Sequence, residues 1–129
     1  RIEDHFSLTL EPPLTHGVVK PIQGKINLKD VYFRYDPEQP EILKGLDLNI
    51  QPGSIVTIHG KNGIGKTTLT WILMGNLHPN SGTVIIDDEP ISSYHYRDLR
   101  RQMAYVPPKG ILFQGTILEN MTMYRGAPY

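Results

Sequence analysis

The chain contains no cysteine among its 129 residues. That excludes disulfides and thiolate-bound metal, while leaving the compartment open. It also carries no net charge, since thirteen basic residues balance thirteen acidic ones. A neutral balance gives no field for a nucleic-acid backbone, which calls for a basic excess or stripe, so no nucleic-acid partner is expected. The one tight basic group is Arg97, Arg100 and Arg101, interrupted by Asp98, and it suits a solvated helix face. The histidines (His5, His16, His59, His78 and His95) show no metal-ligand spacing. No apolar run approaches the ~20 residues a membrane-spanning helix needs. The chain opens on Arg1 and lacks a charged-then-apolar leader, so it reads as a piece of a longer protein with any membrane segment outside it.

What is present is a composition typical of a soluble globular domain, 39% hydrophobic and 20% charged. The length suits one small domain or part of a larger one. Residues 1–24 hold Pro12, Pro13, Gly17, Pro21 and Gly24 with no sustained period, the pattern of a linker or extended arm. From Ile26 to Tyr35 the apolar positions alternate in two sets. The phase changes at Lys29-Asp30, which predicts a bulged strand. A turn from Asp36 to Pro40 leads to a second half-buried strand with Leu46, Leu48 and Ile50. Another turn follows at Gln51-Pro52-Gly53, and antiparallel pairing is expected around these turns. Ser54 to His59 is short and rich in β-branched residues, which predicts a mostly buried strand. Lys66 to Met74 carries Leu69, Ile72 and Leu73 on one helical face, with Gly75 as its stop. Further along, a strand is predicted from Thr83 to Ile86, a helix from Tyr94 to Gln102, a strand from Met103 to Val106 and a helix from Thr116 to Met123.

The chemistry lies between the predicted strand and the predicted helix. Gly60-Lys61-Asn62-Gly63-Ile64-Gly65-Lys66-Thr67 fits G-x-x-x-x-G-K-[ST] without a mismatch. Glycines let backbone amides approach an anion with no Cβ in the way. Successive N–H groups then converge on it as a nest, and the helix start adds partial positive charge. Lys66 can reach the β- and γ-phosphates of a nucleoside triphosphate. The Thr67 hydroxyl suits Mg²⁺, a hard ion that prefers oxygen. Thr68 is placed to donate to a phosphate. Lys61 reads either as a phosphate contact or as a solvated loop lysine. Asp87, Asp88 and Glu89, after the apolar run Val84 to Ile86, imitate a magnesium-binding strand end. They come too soon after Lys66, and directly after a turn, so the reading is a surface strand ending in a solvated acidic turn.

From about Gly24 to Arg125 the chain resembles the first half of an ABC transporter nucleotide-binding domain of the exporter type. The matching stretches are Lys29 to Tyr35, Ile42 to Leu46, the glycine loop, Pro79 to Asp87, Leu99 to Pro107, and Leu112 to Asn120. The resemblance implies an α/β fold: a P-loop NTPase core with a small antiparallel β subdomain, truncated. It implies that Tyr35 stacks on adenine and that Ile42 lies near the base or ribose. Residues 1–24 would be a linker from a preceding transmembrane region, and 25–129 a partial ATP-binding domain. The ligands implied are ATP and Mg²⁺. The partners are the transmembrane domain of the same transporter and a second nucleotide-binding domain, at the cytoplasmic face of a membrane.

Two departures from the family pattern bear on activity. Pro108 stands where the family has a glutamine after Val-Pro, and Gln114 would replace it only after a loop shift. The chain also stops at Tyr129, without the family's L-S-G-G-Q signature, catalytic glutamate or switch histidine. No catalytic residue is therefore assigned. The parent is expected to be an ATPase, whereas this chain alone is expected not to hydrolyse ATP. The alternative is a degenerate, non-hydrolysing ATP-binding regulatory module. A guanine-specific enzyme is disfavoured because no N-K-x-D motif occurs. The strand feeding the glycine loop would be left with an open edge.

Overall fold

The phase change at Lys29-Asp30 organises the sheet. In the computed structural model, which describes residues 17–110 and 112–122, strand β1 (Ile26–Phe33) buries Leu28 and then Val31 and Phe33. Strict alternation after Leu28 would have turned Val31 outward. Asp30 absorbs the extra residue at φ 52°, and its N–H donates to Asp47 Oδ1 at 2.7 Å. The register against β2 (Leu43–Ile50) shifts between Leu28 and Val31, so both apolar sets face one core. β1 also pairs with β3 (Ser81–Ile86), which turns through Asp87-Asp88 into the short β4 (Glu89–Pro90). The sheet order is β2-β1-β3-β4, antiparallel throughout.

One face of this sheet is covered by helix α1 (Lys66–Leu73), which buries Leu69 and Ile72. Gly75 ends α1 where the sequence placed the stop. The Asn76 N–H donates to Trp71 O at 2.8 Å and the Gly75 N–H to Ile72 O at 2.9 Å, a Schellman cap. Helix α2 (Tyr96–Arg101) begins two residues after the predicted start, behind a single 3₁₀ turn at Ile91–Ser93. Its Arg100 donates to the carbonyls of Met74 and Gly75 at 3.2 Å each, joining α2 to the end of α1. Leu28, Val31, Ile72, Ile86 and Leu99 are almost wholly enclosed between these layers. Helix α3 (Ile117–Thr122) starts from a capping box: Glu119 Oε2 accepts from the Thr116 N–H and hydroxyl at 2.7 and 2.9 Å. Those bonds hold the Glu119 carboxyl below its usual range. Met123, in the helix predicted there, lies outside the described residues, as do 1–16 of the arm.

Two strand predictions fail. Ser54 to His59 is not part of any ladder and is exposed throughout, Ile55 at 96%. Met103 to Val106 also runs outside the sheet, with Val106 87% exposed. Their β-branched, apolar composition is that of strands buried on both sides. A strand exists only where another supplies its ladder bonds, and among the described residues none does.

Asp87 corrects a third expectation. It is not a solvated turn residue: its carboxylate accepts from the backbone N–H groups of Gln23 (2.6 Å), Gly24 (3.1 Å) and Lys25 (2.9 Å). Nor is the strand before it a surface strand, because Val84 and Ile86 are buried. Asp87 thus fastens residues 23–25 to the β3–β4 hairpin. Asp87→Ala should lower stability by about 1–3 kcal/mol, because it strands these donors without their acceptor. Thermal denaturation of the variant measures this.

Candidate functional site

The glycine loop hangs on α1. Gly65 is the residue before the helix and lies at φ 104°, ψ 9°, in left-handed space. A Cβ there would lie 2.8 Å from Ile42 Cγ2 and 2.9 Å from Leu43 Cδ2. Both conformation and space therefore require glycine. The Leu69 N–H donates to Gly65 O at 2.8 Å, the first bond of the helix. Gly63 also has positive φ, 83°, so the loop doubles back just before the helix. Lys66 stiffens this shape: its ammonium donates to Gly60 O and Lys61 O at 2.7 Å each. The lysine thereby crosses the mouth of the loop.

The other wall comes from the end of β1 and the start of β2. The Ile42 N–H donates to Phe33 O at 2.8 Å, and Arg34 forms an ion pair with Glu41 across the Asp36 to Pro40 turn. These contacts set Tyr35 and Ile42 side by side. Tyr35 rests edge-on against Phe33 and its hydroxyl lies 3.0 Å from Thr68 Oγ1.

A cleft of about 440 Å³ lies between the two walls. Tyr35, Ile42, Asn62, Gly63, Gly65, Lys66, Thr67 and Thr68 line it. Gly60 and Lys61 are not among the lining residues and act through their carbonyls on Lys66. Ile64 points away from the core and is 57% exposed. Thr67 is exposed, whereas Thr68 is buried. Neither Pro108 nor Gln114 lines the cleft.

Sequence reasoning missed the Arg34–Glu41 pair and the Tyr35–Thr68 bond. Opposite charges flanking a turn offered a signal for the first. The second joins residues far apart in the chain, and no local pattern announces it. Nor did the sequence reading note the capping box, although Thr116-x-x-Glu119 is written in the chain.

A second cavity, about 230 Å³, is lined by Lys20, Pro21, Gln23, Lys25, Pro52, Asp87 and Asp88. Its charges are engaged with one another. Lys25 Nζ donates to Asp88 Oδ1 at 2.7 Å, and this bond, with the attraction of the ammonium, holds the Asp88 carboxyl below its usual range. The Asp87 carboxylate is taken by backbone amides. In the first cleft the Lys66 ammonium meets carbonyls but, among the described residues, no carboxylate, and this cleft is the stronger candidate.

Comparison with known proteins points the same way. The sequence profile described as ABC transporter matches residues 43–127. The chain is 35% identical over 122 residues to an ATP-dependent lipid A-core flippase of Chromohalobacter salexigens, covering 92% of this chain and 21% of that protein. It is 39% identical over 116 residues to the mitochondrial ATP-dependent permease MDL2 of Saccharomyces cerevisiae, covering 88% of this chain and 15% of that one. Among solved structures it resembles a bacterial Atm1-family ABC exporter with ATP bound, with a TM-score of 0.77 and 32% identity, over 91% of this chain and 20% of the exporter. The chain therefore spans about a fifth or less of the length of these relatives.

Proposed function

This chain belongs to the ABC transporter family, and from that premise we propose that it is the ATP-binding portion of an ABC exporter, coupling ATP binding and hydrolysis to transport across a membrane. The observation that carries the reading is the cleft itself: an aromatic platform faces a glycine loop whose lysine and two threonines line the same space. In this reading residues 1–24 link to a preceding transmembrane region and 25–129 form part of a P-loop NTPase domain. The exporter's transmembrane domain and a second nucleotide-binding domain are its partners, at the cytoplasmic face of the membrane.

The residues present fit a magnesium nucleotide. Tyr35 offers its ring to adenine, being 52% exposed although it is in right-angle contact with Phe33. Ile42 lies beside it, next to the base or ribose. The loop from Gly60 to Gly65, with Lys61, Asn62, Gly63 and Ile64 between, directs backbone amides at phosphate oxygens. Lys66 presents its ammonium to the β- and γ-phosphates, and Thr68 donates a hydroxyl. Thr67 would hold Mg²⁺ through its hydroxyl oxygen. Among the described residues no cluster of three or more His, Cys, Asp or Glu offers a ready-made metal site. Such a magnesium ion would take its other ligands from water and phosphate, its usual habit. When bound, it neutralises charge on the triphosphate. What the chain itself does is bind and orient. Among the described residues the cleft lining holds no carboxylate or histidine to act as a base, so in this reading hydrolysis draws on groups elsewhere in the parent protein. The relatives lend no support to the alternative of a non-hydrolysing regulatory module.

Tyr35→Ala tests the platform. It should weaken MgATP binding about tenfold, the order expected for losing one base–aromatic stack. Inorganic tripolyphosphate, which has no base, should bind the variant and the wild type alike. Calorimetry with both ligands measures the contrast. Equal losses for both would refute the assignment of Tyr35 to the base.

A further inference from the structure

Tyr35 is half-exposed, yet it is held at two points. Its ring meets that of Phe33 at right angles, with centroids 4.9 Å apart. Its hydroxyl lies 3.0 Å from Thr68 Oγ1. Both anchors are buried. Phe33 is 5% exposed in the sheet core, and Thr68 is 5% exposed in the first turn of α1. An aromatic two residues past the end of β1 is thus tied to the helix that the glycine loop feeds, over 33 positions of sequence.

Stacking on a half-exposed ring ordinarily incurs the entropy of ordering that ring. Here the sheet and the helix have already fixed it. The chemistry of the tie is also compatible with an acceptor in the cleft. Each hydroxyl has one proton and two lone pairs. When Tyr35 donates to Thr68 Oγ1, the threonine proton is left for an acceptor in the cleft. One buried hydroxyl then serves both neighbours at once.

We propose that the Tyr35 hydroxyl is a positioning group: its bond to Thr68 sets the base platform at a fixed distance and tilt from the phosphate loop. Phenylalanine at this position would keep the stacking surface and lose the setting. The proposal rests on reading the cleft as a nucleotide site, and its test separates the two.

Calorimetric titrations of Tyr35→Phe, Thr68→Val, the double variant and Tyr35→Ala with MgATP and with magnesium tripolyphosphate decide it. Tyr35→Phe should lose about fivefold in ATP affinity, the worth of one hydrogen bond, and less than about twofold for tripolyphosphate. In the Thr68→Val background the same change should make no further difference to ATP, because the bond is already gone. Thr68→Ser, which keeps a hydroxyl, should restore the sensitivity to Tyr35→Phe. A Tyr35→Phe chain that binds ATP like the wild type overturns the proposal, as does an equal loss of tripolyphosphate affinity. An undiminished penalty in the Thr68→Val background overturns it too. Should Thr68→Val fail to fold, the ATP-against-tripolyphosphate contrast of Tyr35→Phe decides alone. Tyr35→Ala tells the failures apart: if it too binds ATP normally, the base platform fails and takes this proposal with it. If it binds ATP poorly while Tyr35→Phe is normal, only the role of the hydroxyl fails.

Discussion

Replacing Lys66 by alanine should reduce MgATP affinity by up to about a hundredfold, since the cleft loses a positive charge and the one ammonium proton not already donated to Gly60 O and Lys61 O. The geometry gives the lysine a second task. Its ammonium bridges the carbonyls of Gly60 and Lys61, and so holds the first part of the loop against the start of α1. Alanine removes the charge and releases the loop together. Stability should barely change, because these contacts are solvent-exposed. Lys66→Arg should not restore binding: a planar guanidinium is wider than an ammonium and cannot fit between the same two carbonyls and a phosphate. Calorimetry on a variant with unaltered thermal stability checks this. A loss below about threefold would show that the loop binds phosphate without its lysine.

Gly65→Ala should have the largest effect on the fold of the site. The residue needs φ 104°, which an L side chain rarely adopts. A Cβ would also enter the contact distances of Ile42 Cγ2 and Leu43 Cδ2. Backbone strain of about 1–3 kcal/mol adds to an overpacking cost of similar size. A destabilisation of about 2–6 kcal/mol is expected by urea denaturation. What remains folded should bind MgATP poorly, because relief of the clash pushes Ile42 and the start of α1 apart, the two walls of the cleft. Gly63→Ala provides the contrast. It shares the positive φ, but a Cβ there meets nothing within 4 Å. Strain alone should cost it about 1–2 kcal/mol. Equal effects at the two glycines would contradict the packing argument at Gly65.

The parts of the molecule that could be read in the sequence are those whose causes are local. The loop from Gly60 to Thr67 announces itself by glycine placement. The bulge at Asp30 shows as a phase change, and α1 as Leu69 and Ile72 on one face closed by Gly75. The failures are all cases where the cause is distant. Ser54 to His59 and Met103 to Val106 have the composition of buried strands, but composition cannot supply a neighbour. Among the described residues both runs stay outside the sheet, with Ile55 and Val106 in solvent. Asp87 looked like a solvated acid because its acceptors' partners, the amides of residues 23–25, come more than 60 positions earlier. In the cleft the sequence named eleven residues, of which eight line it and Gly60, Lys61 and Ile64 do not. It could not show that Tyr35 and Thr68 touch, since that contact depends on how the sheet sets β1 against α1.

The departure at Pro108 has a defined place. Proline stands exposed in a bend beyond the unladdered run Met103 to Val106, away from the cleft lining. Tyr35, Lys66 and Thr67 line the cleft and Pro108 does not.

The most direct test of nucleotide binding in this cleft is a residue-resolved NMR titration of the chain with MgATP. Saturable amide shifts concentrated at Tyr35, Ile42 and Gly60 to Thr68, with little change at Lys25, Asp87 and Asp88, are the predicted result. A folded chain that shows no shifts, or shifts centred on the Lys25–Asp88 cavity, would contradict it.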